Sequence, residues 1–183
     1  MACSTICIGD ELKKKIPPRI CPDRDEFYLG MAFWAASKSK DPRTQCGAFI
    51  ISSDNEPLGW GYNGPPKNIK DTDISWGRPE KYDVIDHAEV NAIEYARGDL
   101  RGATIYVTAK PCKHCMLDIV RKRIGKVVWF PSNHDSSSML SQVDMDKTDE
   151  IARLGGIRLE KFDGTLNWMR DRIEWMEKMG AFG

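Results

Sequence analysis

Residues 103–130 read ATIYVTAKPCKHCMLDIVRKRIGKVVWF, and their pattern indicates the fold class. The apolar segment 103–108 predicts a strand, and the segment from Cys112 to just before Gly125 predicts a helix. The segment 126–130 predicts a second strand, because it carries the continuous apolar run VVWF. Two strands joined by a helix favour parallel pairing, so the stretch indicates a layered α/β protein with a partly parallel sheet.

The same alternation of helices and strands continues on both sides. A helix is predicted from Asp23, a candidate N-cap with Glu26 at the reciprocal position, to about Ser39, because Pro42 cannot continue it. The remaining predicted elements are strands at 47–52, 58–62 and 157–162, and helices at 88–97, 141–154 and 165–179. The first two of these strands predict a hairpin, and the polar segment 63–86 predicts a long functional loop.

The beginning of the chain departs from this pattern. Residues 1–22 contain Pro17, Pro18 and Pro22, which interrupt regular structure. They therefore predict an N-terminal arm ahead of a single domain at 23–183. The short apolar stretch of the arm is followed by lysines, whereas a secretory signal has its positive charges first. We therefore expect a cytoplasmic protein.

The composition favours a small-molecule partner. The chain of 183 residues is 41% hydrophobic and 30% charged, and its formal net charge is zero. Proteins that follow a long phosphate backbone usually carry a basic surplus. A membrane-spanning helix needs about 20 consecutive apolar residues, and no segment approaches that length. We therefore expect neither polymeric nucleic acid nor a membrane as a partner.

Two short motifs carry the chemistry, an H-x-E at 87–89 and a P-C-x-x-C at 111–115. Cys112 and Cys115 are three residues apart at a helix start, so both sulfurs can face one point. The positive end of the helix favours the thiolate form that binds metal. His87 supplies a third ligand from another helix start. Three protein ligands leave the fourth tetrahedral position of Zn²⁺ open, which is typical of a catalytic site.

Glu89 follows the histidine by two residues and is not needed as a ligand. We expect it to act as general acid and base, moving protons between an attacking water, the substrate and its leaving group. Alone, a C-x-x-C pair more often indicates a redox or structural zinc site, and an H-x-E means little. Together, with Pro111 before the first cysteine, they form the signature of zinc nucleobase deaminases. His114, inside the cysteine pair, is predicted to point away from the metal.

The sequence resembles the deoxycytidylate (dCMP) deaminases of the cytidine deaminase-like superfamily. The resemblance runs from about Phe27 to Phe162. Its motifs are SKDPRTQCGA at 39–48, GYNGPP at 61–66, DHAEVNAI at 86–93, ATIYVT at 103–108 and PCKHC at 111–115. The GYNG element distinguishes this branch from cytidine deaminases and tRNA adenosine deaminases. The resemblance implies a three-layer α/β/α fold with a five-stranded mixed sheet, followed here by a C-terminal helix.

The resemblance also implies the site. Zinc would be held by His87, Cys112 and Cys115, with Glu89 as the catalytic proton shuttle, and Asn63 would bond the deoxyribose. An Asn-Gly pair is otherwise an ordinary turn. Further substrate-binding candidates are Ala88, Lys40 and His134, and the phosphate has other possible partners in Lys38, Arg43 and Lys67.

Cofactors and partners follow from the same resemblance. We expect one zinc ion per chain, because the loop 63–86 lacks the cysteines with which some viral members bind a second. Members are often homohexamers activated by dCTP with Mg²⁺ and inhibited by dTTP, so we expect an oligomer with regulatory nucleotides.

The expected reaction is the hydrolysis of dCMP to dUMP and ammonia, which supplies a precursor of thymidylate. Three alternatives remain open at this point. The first keeps the chemistry and changes the substrate to dCTP or cytidine. The second is a polynucleotide editor, which the neutral charge disfavours. The third is a zinc-stabilised scaffold without activity, in which Glu89 would have no task.

Overall fold

The computed structural model describes residues 21–131 and 142–182, and a five-stranded sheet lies at its centre. In chain order the strands are β1 (Gly47–Ile51), β2 (Pro57–Tyr62), β3 (Thr104–Val107), β4 (Lys126–Trp129) and β5 (Arg158–Lys161). Their spatial order is β2-β1-β3-β4-β5. Strand β1 is antiparallel to β2 and β3, whereas β3, β4 and β5 are mutually parallel. The predicted hairpin and the predicted mixed sheet are both confirmed.

Helices cover both faces of this sheet. They are α1 (Arg24–Ala36), α2 (Ala88–Glu94), α3 (Lys113–Arg121), α4 (Gln142–Leu154) and α5 (Asn167–Lys178). Side chains alternate along β1, so that Ala48 and Ile50 join the core under α2, α3 and α4. Phe49 and Ile51 instead join the core under α1. The predicted three-layer α/β/α fold and its C-terminal helix are confirmed.

Helix α1 begins as the sequence predicts, and small side chains lie where it contacts the sheet. The Asp23 carboxylate accepts from the backbone N–H of Glu26, and the Glu26 carboxylate accepts from that of Asp23, which completes the capping box. The large residues Phe27 and Trp34 remain 41% and 50% exposed, whereas the small Ala32 is fully buried. Small side chains allow the helix backbone to lie directly against β1.

Helix α2 is shorter than predicted and ends at Glu94. The chain then turns back to β2, because the backbone N–H of Arg97 bonds the carbonyl of Leu58 at 2.8 Å. Gly98 follows with a φ of +95°, a left-handed conformation that glycine adopts without steric cost.

The C-terminal helix is only half-buried. The indole of Trp168 stacks on Phe27 with 6.1 Å between ring centroids, and its N–H donates to the carbonyl of Glu26. Trp175 is 50% exposed, and none of the residues of α5 is buried. The helix thus rests on α1 through one end. Among the described residues, no helix is both long enough and apolar enough to cross a membrane.

The predicted arm at 1–22 lies almost entirely outside the described residues, as do His134 and the rest of the segment 132–141.

Two strands that lead towards the site end at the same edge of the sheet. Gly47 pairs with Tyr62, the last residue of β2, and Ala48 pairs with Val107, the last residue of β3. The chain segments that follow β2 and β3 therefore emerge side by side. The carboxyl edge of an α/β sheet is the usual place for a ligand site.

Helix α2 lies against β2 because Gly61 has no side chain. A Cβ atom at this position would lie 2.3 Å from the backbone nitrogen of Ala92 and 2.5 Å from the carbonyl oxygen of Ala88. We expect Gly61→Ala to lower the free energy of unfolding by about 2 kcal/mol or more, because extra atoms in a closely packed region force the backbone apart. Urea denaturation measures the change.

Gly77→Ala is the matched control, because its Cβ would meet only the ends of the Glu80 and Ser75 side chains at 3.2 and 3.3 Å. Equal stability of the two variants would contradict the close approach of α2 to β2.

Candidate metal centre

Two helix N-termini meet at the carboxyl edge of the sheet. His87 is the N-cap of α2, and Cys112 is the N-cap of α3. Both have extended backbone dihedrals, so each side chain turns back towards the space in front of its helix. The Cys112 sulfur accepts from the backbone N–H of Cys115 at 3.5 Å. A cysteine here takes the capping role that a serine or aspartate usually has.

The three predicted ligands lie together. The His87 Nδ1 atom is 3.5 Å from the Cys112 sulfur and 3.3 Å from the Cys115 sulfur, and the two sulfurs are 3.6 Å apart. Tetrahedral zinc with ordinary bond lengths requires nitrogen–sulfur and sulfur–sulfur separations of about 3.6 and 3.8 Å. A disulfide would need about 2.05 Å. The three donors therefore fit a single zinc ion.

Electrostatics within the cluster favour a thiolate. A hydrogen bond from the Cys115 thiol, together with one from His87, lowers the pKa of Cys112 to about 3. The hydrogen bond to Cys112 raises the pKa of His87 to about 9. The pKa of Cys115 is raised because its proton is held by Cys112 and because it is buried. Removal of this proton and of the histidine proton would leave three donors for a cation.

Glu89 lies in the first turn of α2 and is only 7% exposed. Burial raises the pKa of its carboxyl group, while the positive charge of His87 and a hydrogen bond from Cys115 oppose that rise. The carboxylate therefore lies beside the ligand cluster, yet it is absent from the group of residues that could hold the metal. His114 is exposed and is likewise absent from that group.

Asn63 follows β2 directly and is buried. Its amide oxygen accepts from the backbone N–H of Cys46 at 2.8 Å, and its amide nitrogen donates to the carbonyl of Thr44 at 2.9 Å. Within the part of the chain that the structure describes, each polar atom of the side chain has one such partner, which leaves a second N–H and a second lone pair. The amide is held in a single orientation by the segment before β1.

Asn91, on α2, holds the backbone on both sides of Asn63. Its amide donates to the carbonyls of Tyr62 and Gly64 at 2.9 and 3.1 Å. The GYNG segment is therefore attached to the helix that carries His87 and Glu89. This role of Asn91 was not predicted, although the residue lies inside the DHAEVNAI motif.

Helix α4 supports the cysteine segment, and this contact was also missed. The hydroxyl of Thr148, which is fully buried, lies 3.2 Å from the carbonyl oxygen of Pro111 and 3.1 Å from that of Asp144, so it can donate to either. Lys110 pairs with Asp149 at 2.7 Å, and Lys113 pairs with Asp144 at 3.0 Å. The only sequence signal is a threonine within an amphipathic helix, which indicates nothing by itself.

The other substrate-binding candidates are scattered. Ala88 is buried as the first residue of α2, directly beside the ligand cluster. Lys40 is exposed and pairs with Asp71 at 2.6 Å. The ammonium of Lys67 lies 3.8 Å from the centroid of the Tyr95 ring. Arg43 is exposed. Their positions select none of these cations as the phosphate ligand.

Known proteins are similar to this chain in sequence and in fold. The family model described as the cytidine and deoxycytidylate deaminase zinc-binding region matches residues 22–130. A deoxycytidylate deaminase of Homo sapiens is 31% identical over 155 residues, which cover 78% of this chain and 84% of that protein. A deoxycytidylate deaminase of Pongo abelii is 36% identical over 130 residues, which cover 63% of this chain and 73% of that protein.

A solved structure has the same fold. The crystal structure of dCMP deaminase from the cyanophage S-TIM5, in complex with dCMP and dUMP, superimposes with a TM-score of 0.58. The match covers 79% of this chain and 100% of that chain at 22% identity. At this identity the likeness supports the fold and carries no residue roles.

Metal binding by the cluster can be tested with Cys112→Ala. We expect this variant to lose bound zinc and to unfold at a lower urea concentration, because metal binding contributes to the stability of the folded chain. Metal analysis of the purified protein and urea denaturation are the measurements. Cys21→Ala is the control, since Cys21 is exposed and distant in sequence from the cluster. Full zinc content in Cys112→Ala would remove Cys112 from the ligand set.

Proposed function

Because this chain belongs to the cytidine and deoxycytidylate deaminase family, we propose that it hydrolyses dCMP to dUMP and ammonia. One observation carries the proposal. His87, Cys112 and Cys115 place their donor atoms within 4.8 Å of one another, and the buried Glu89 lies beside them. The relatives named deoxycytidylate deaminase support dCMP as the substrate.

Zinc fits the three donors, and His87, Cys112 and Cys115 would hold it. When bound, zinc makes water a better nucleophile at neutral pH by lowering its pKa. The donor atoms lie at the N-termini of α2 and α3, whose partial positive charges favour the thiolates. The same cluster disfavours the scaffold alternative, because a structural zinc site normally has four protein ligands.

Glu89 is the proton carrier in this proposal. Hydrolysis at C4 of cytosine adds a water oxygen to the ring and expels the amino group as ammonia. One proton of the water must reach N3 of the base, and another must reach the departing nitrogen. A single carboxylate at the reaction centre can accept and deliver both in turn. Its burial among α2 and α3 keeps bulk water from competing for these protons.

The sugar end of the substrate is assigned to Asn63. Its bonds to described backbone groups leave one N–H and one lone pair of the amide, so it can bond a hydroxyl as donor or acceptor. Ala88, Lys40 and His134 remain proposed substrate contacts.

Several finer features stay proposals that rest on the family resemblance. They are one zinc ion per chain, a homohexamer, regulation by dCTP with Mg²⁺ and by dTTP, a cytoplasmic location, and the division into an arm at 1–22 and a domain at 23–183.

The substrate is tested by measuring ammonia release from dCMP, dCTP, cytidine and a single-stranded oligonucleotide that contains cytosine. We expect the highest kcat/KM for dCMP, because the similar curated proteins are named deoxycytidylate deaminases. A preference for dCTP or cytidine would overturn the substrate and leave the zinc chemistry in place. Activity on the oligonucleotide alone would indicate a polynucleotide editor.

The proton carrier is tested with Glu89→Gln. This change keeps the size of the side chain and removes its ability to exchange protons. We expect kcat for dCMP to fall by about 100-fold or more, the range attributed to general acid–base catalysis. Zinc content should stay at the wild-type level, because Glu89 is not a ligand. Turnover close to the wild-type rate would exclude Glu89 from the mechanism.

A further inference from the structure

A lysine of the long loop is fully buried. Lys81 is 1% exposed and forms an ion pair with Asp41, which is 2% exposed. Lysine is almost never fully buried unless it is paired, because removing its charge from water is costly. The ion pair joins two segments that are distant in sequence, the loop between β2 and α2 and the segment between α1 and β1.

The carboxylate of Asp41 also shapes its own segment. One oxygen accepts from the backbone N–H groups of Arg43 and Thr44 at 3.0 and 3.2 Å, and the other accepts from Lys81. Burial alone would raise the pKa of Asp41, but these hydrogen bonds outweigh it and hold the pKa below its ordinary value. The group is therefore a carboxylate at neutral pH, with each oxygen engaged.

The segment that Asp41 shapes is the one that orients Asn63. The carbonyl of Thr44 accepts from the Asn63 amide nitrogen, and the backbone N–H of Cys46 donates to the amide oxygen. The hydroxyl of Ser39 also donates to the backbone carbonyl of Asn63 at 2.8 Å. The position of the segment 39–46 thus decides where the free N–H and the free lone pair of Asn63 point.

The end of the loop that carries Lys81 is hydrogen-bonded to the residue that follows Asn63. The backbone N–H of Ile85 bonds the carbonyl of Lys81 at 3.0 Å, and Asp86 exchanges two backbone hydrogen bonds with Gly64 at 2.9 and 3.1 Å. Gly64 follows Asn63 directly, and Asp86 precedes the metal ligand His87. Lys81 therefore contacts the segment before Asn63 through Asp41, and its own loop contacts the residue after Asn63 just before the metal ligand His87.

We propose that Lys81 is a positioning residue for substrate recognition, because its ion pair with Asp41 holds the amide of Asn63 where it meets the deoxyribose hydroxyl. The inference rests on the proposed function and adds a residue to it. Stability alone does not require this pair, since well-packed apolar residues often replace a buried ion pair without loss. Orientation of Asn63 explains why the chain contains this buried ion pair.

The deoxyribose of a 5′-monophosphate has one free hydroxyl, at the 3′ position, and this provides a selective readout. The wild type should prefer dCMP to 2′,3′-dideoxycytidine monophosphate, which lacks that hydroxyl. In Lys81→Met we expect KM for dCMP to rise about tenfold with kcat nearly unchanged, which is the mark of lost substrate binding. The preference for dCMP over the dideoxy analogue should fall by the same factor.

A second variant, Asp41→Asn with Lys81→Met, keeps the test decisive if the single variant is unstable. The new amide oxygen can still accept from the N–H groups of Arg43 and Thr44, so this variant removes only the connection to residue 81. We expect it to fold with wild-type zinc content and to show the same reduced preference. A wild-type preference in this variant would overturn the proposal.

A double-mutant cycle with Asn63→Ala separates action through Asn63 from a general effect. If Lys81 acts through Asn63, the variant with both changes should be no worse than Asn63→Ala alone. Additive losses would overturn the proposal. Binding of the product dUMP, followed by calorimetry, should weaken by the same factor as the rise in KM, which gives a readout independent of turnover.

Lys70→Met is the matched control, because it removes an exposed lysine from the same loop. It should leave KM, kcat and the preference unchanged, and an equal effect of Lys70→Met would reduce the result to overall charge. The wild-type measurement distinguishes failure of the proposed function from failure of the role of Lys81. No turnover of dCMP by the wild type would contradict the proposed function, whereas normal turnover with an unchanged preference in the variants would contradict the role of Lys81 only.

Discussion

Three donor atoms must come within the reach of one cation, and this requirement organises the molecule. His87 precedes α2, while Cys112 and Cys115 lie at the start of α3, so two helix N-termini have to converge. They converge because β2 and β3 end at the same edge of the sheet. Each helix start brings a partial positive charge, which stabilises the thiolates that a metal needs.

The convergence depends on close packing on one side and on buried polar contacts on the other. Helix α2 can lie against β2 only because Gly61 leaves room for its backbone. Helix α3 is held from outside by α4, whose Thr148 hydroxyl can donate to the carbonyl just before Cys112. The apolar contacts fix the distances between layers, whereas the hydrogen bonds fix the orientation of the segments that carry the ligands.

The surroundings of Asn63 are built differently, from loops rather than from helix starts. The segments 39–46 and 63–86 contain little regular structure, yet they bury an ion pair and hold the amide of Asn63 through backbone groups. A loop can be ordered in this way because each buried polar group finds a partner. The metal centre and these loops are joined, since Asn91 on α2 donates to the backbone carbonyls on either side of Asn63.

The local features of this protein are predictable from the amino-acid sequence alone. The order of strands and helices, the capping box at Asp23 and the placement of Cys112 and Cys115 at one helix start could all be predicted, because each depends on residues within a few positions of one another. The H-x-E and P-C-x-x-C motifs even indicated that one cluster would form, since each half places its donors at a helix start. The apolar face of α1 was less predictable, because packing against β1 selected Ala32 rather than the large aromatic residues.

The long-range polar contacts depend on how the chain folds and have no local pattern. Lys81 looks like a surface lysine in a polar loop, and Asp41 lies 40 positions earlier in the chain. Thr148 and Pro111 are likewise 37 positions apart. Such pairs leave no periodic signal in the sequence, because their residue types are common on surfaces and their partners are selected by the folded chain. In the folded chain these side chains are buried and contact the segments that carry Asn63 and Cys112.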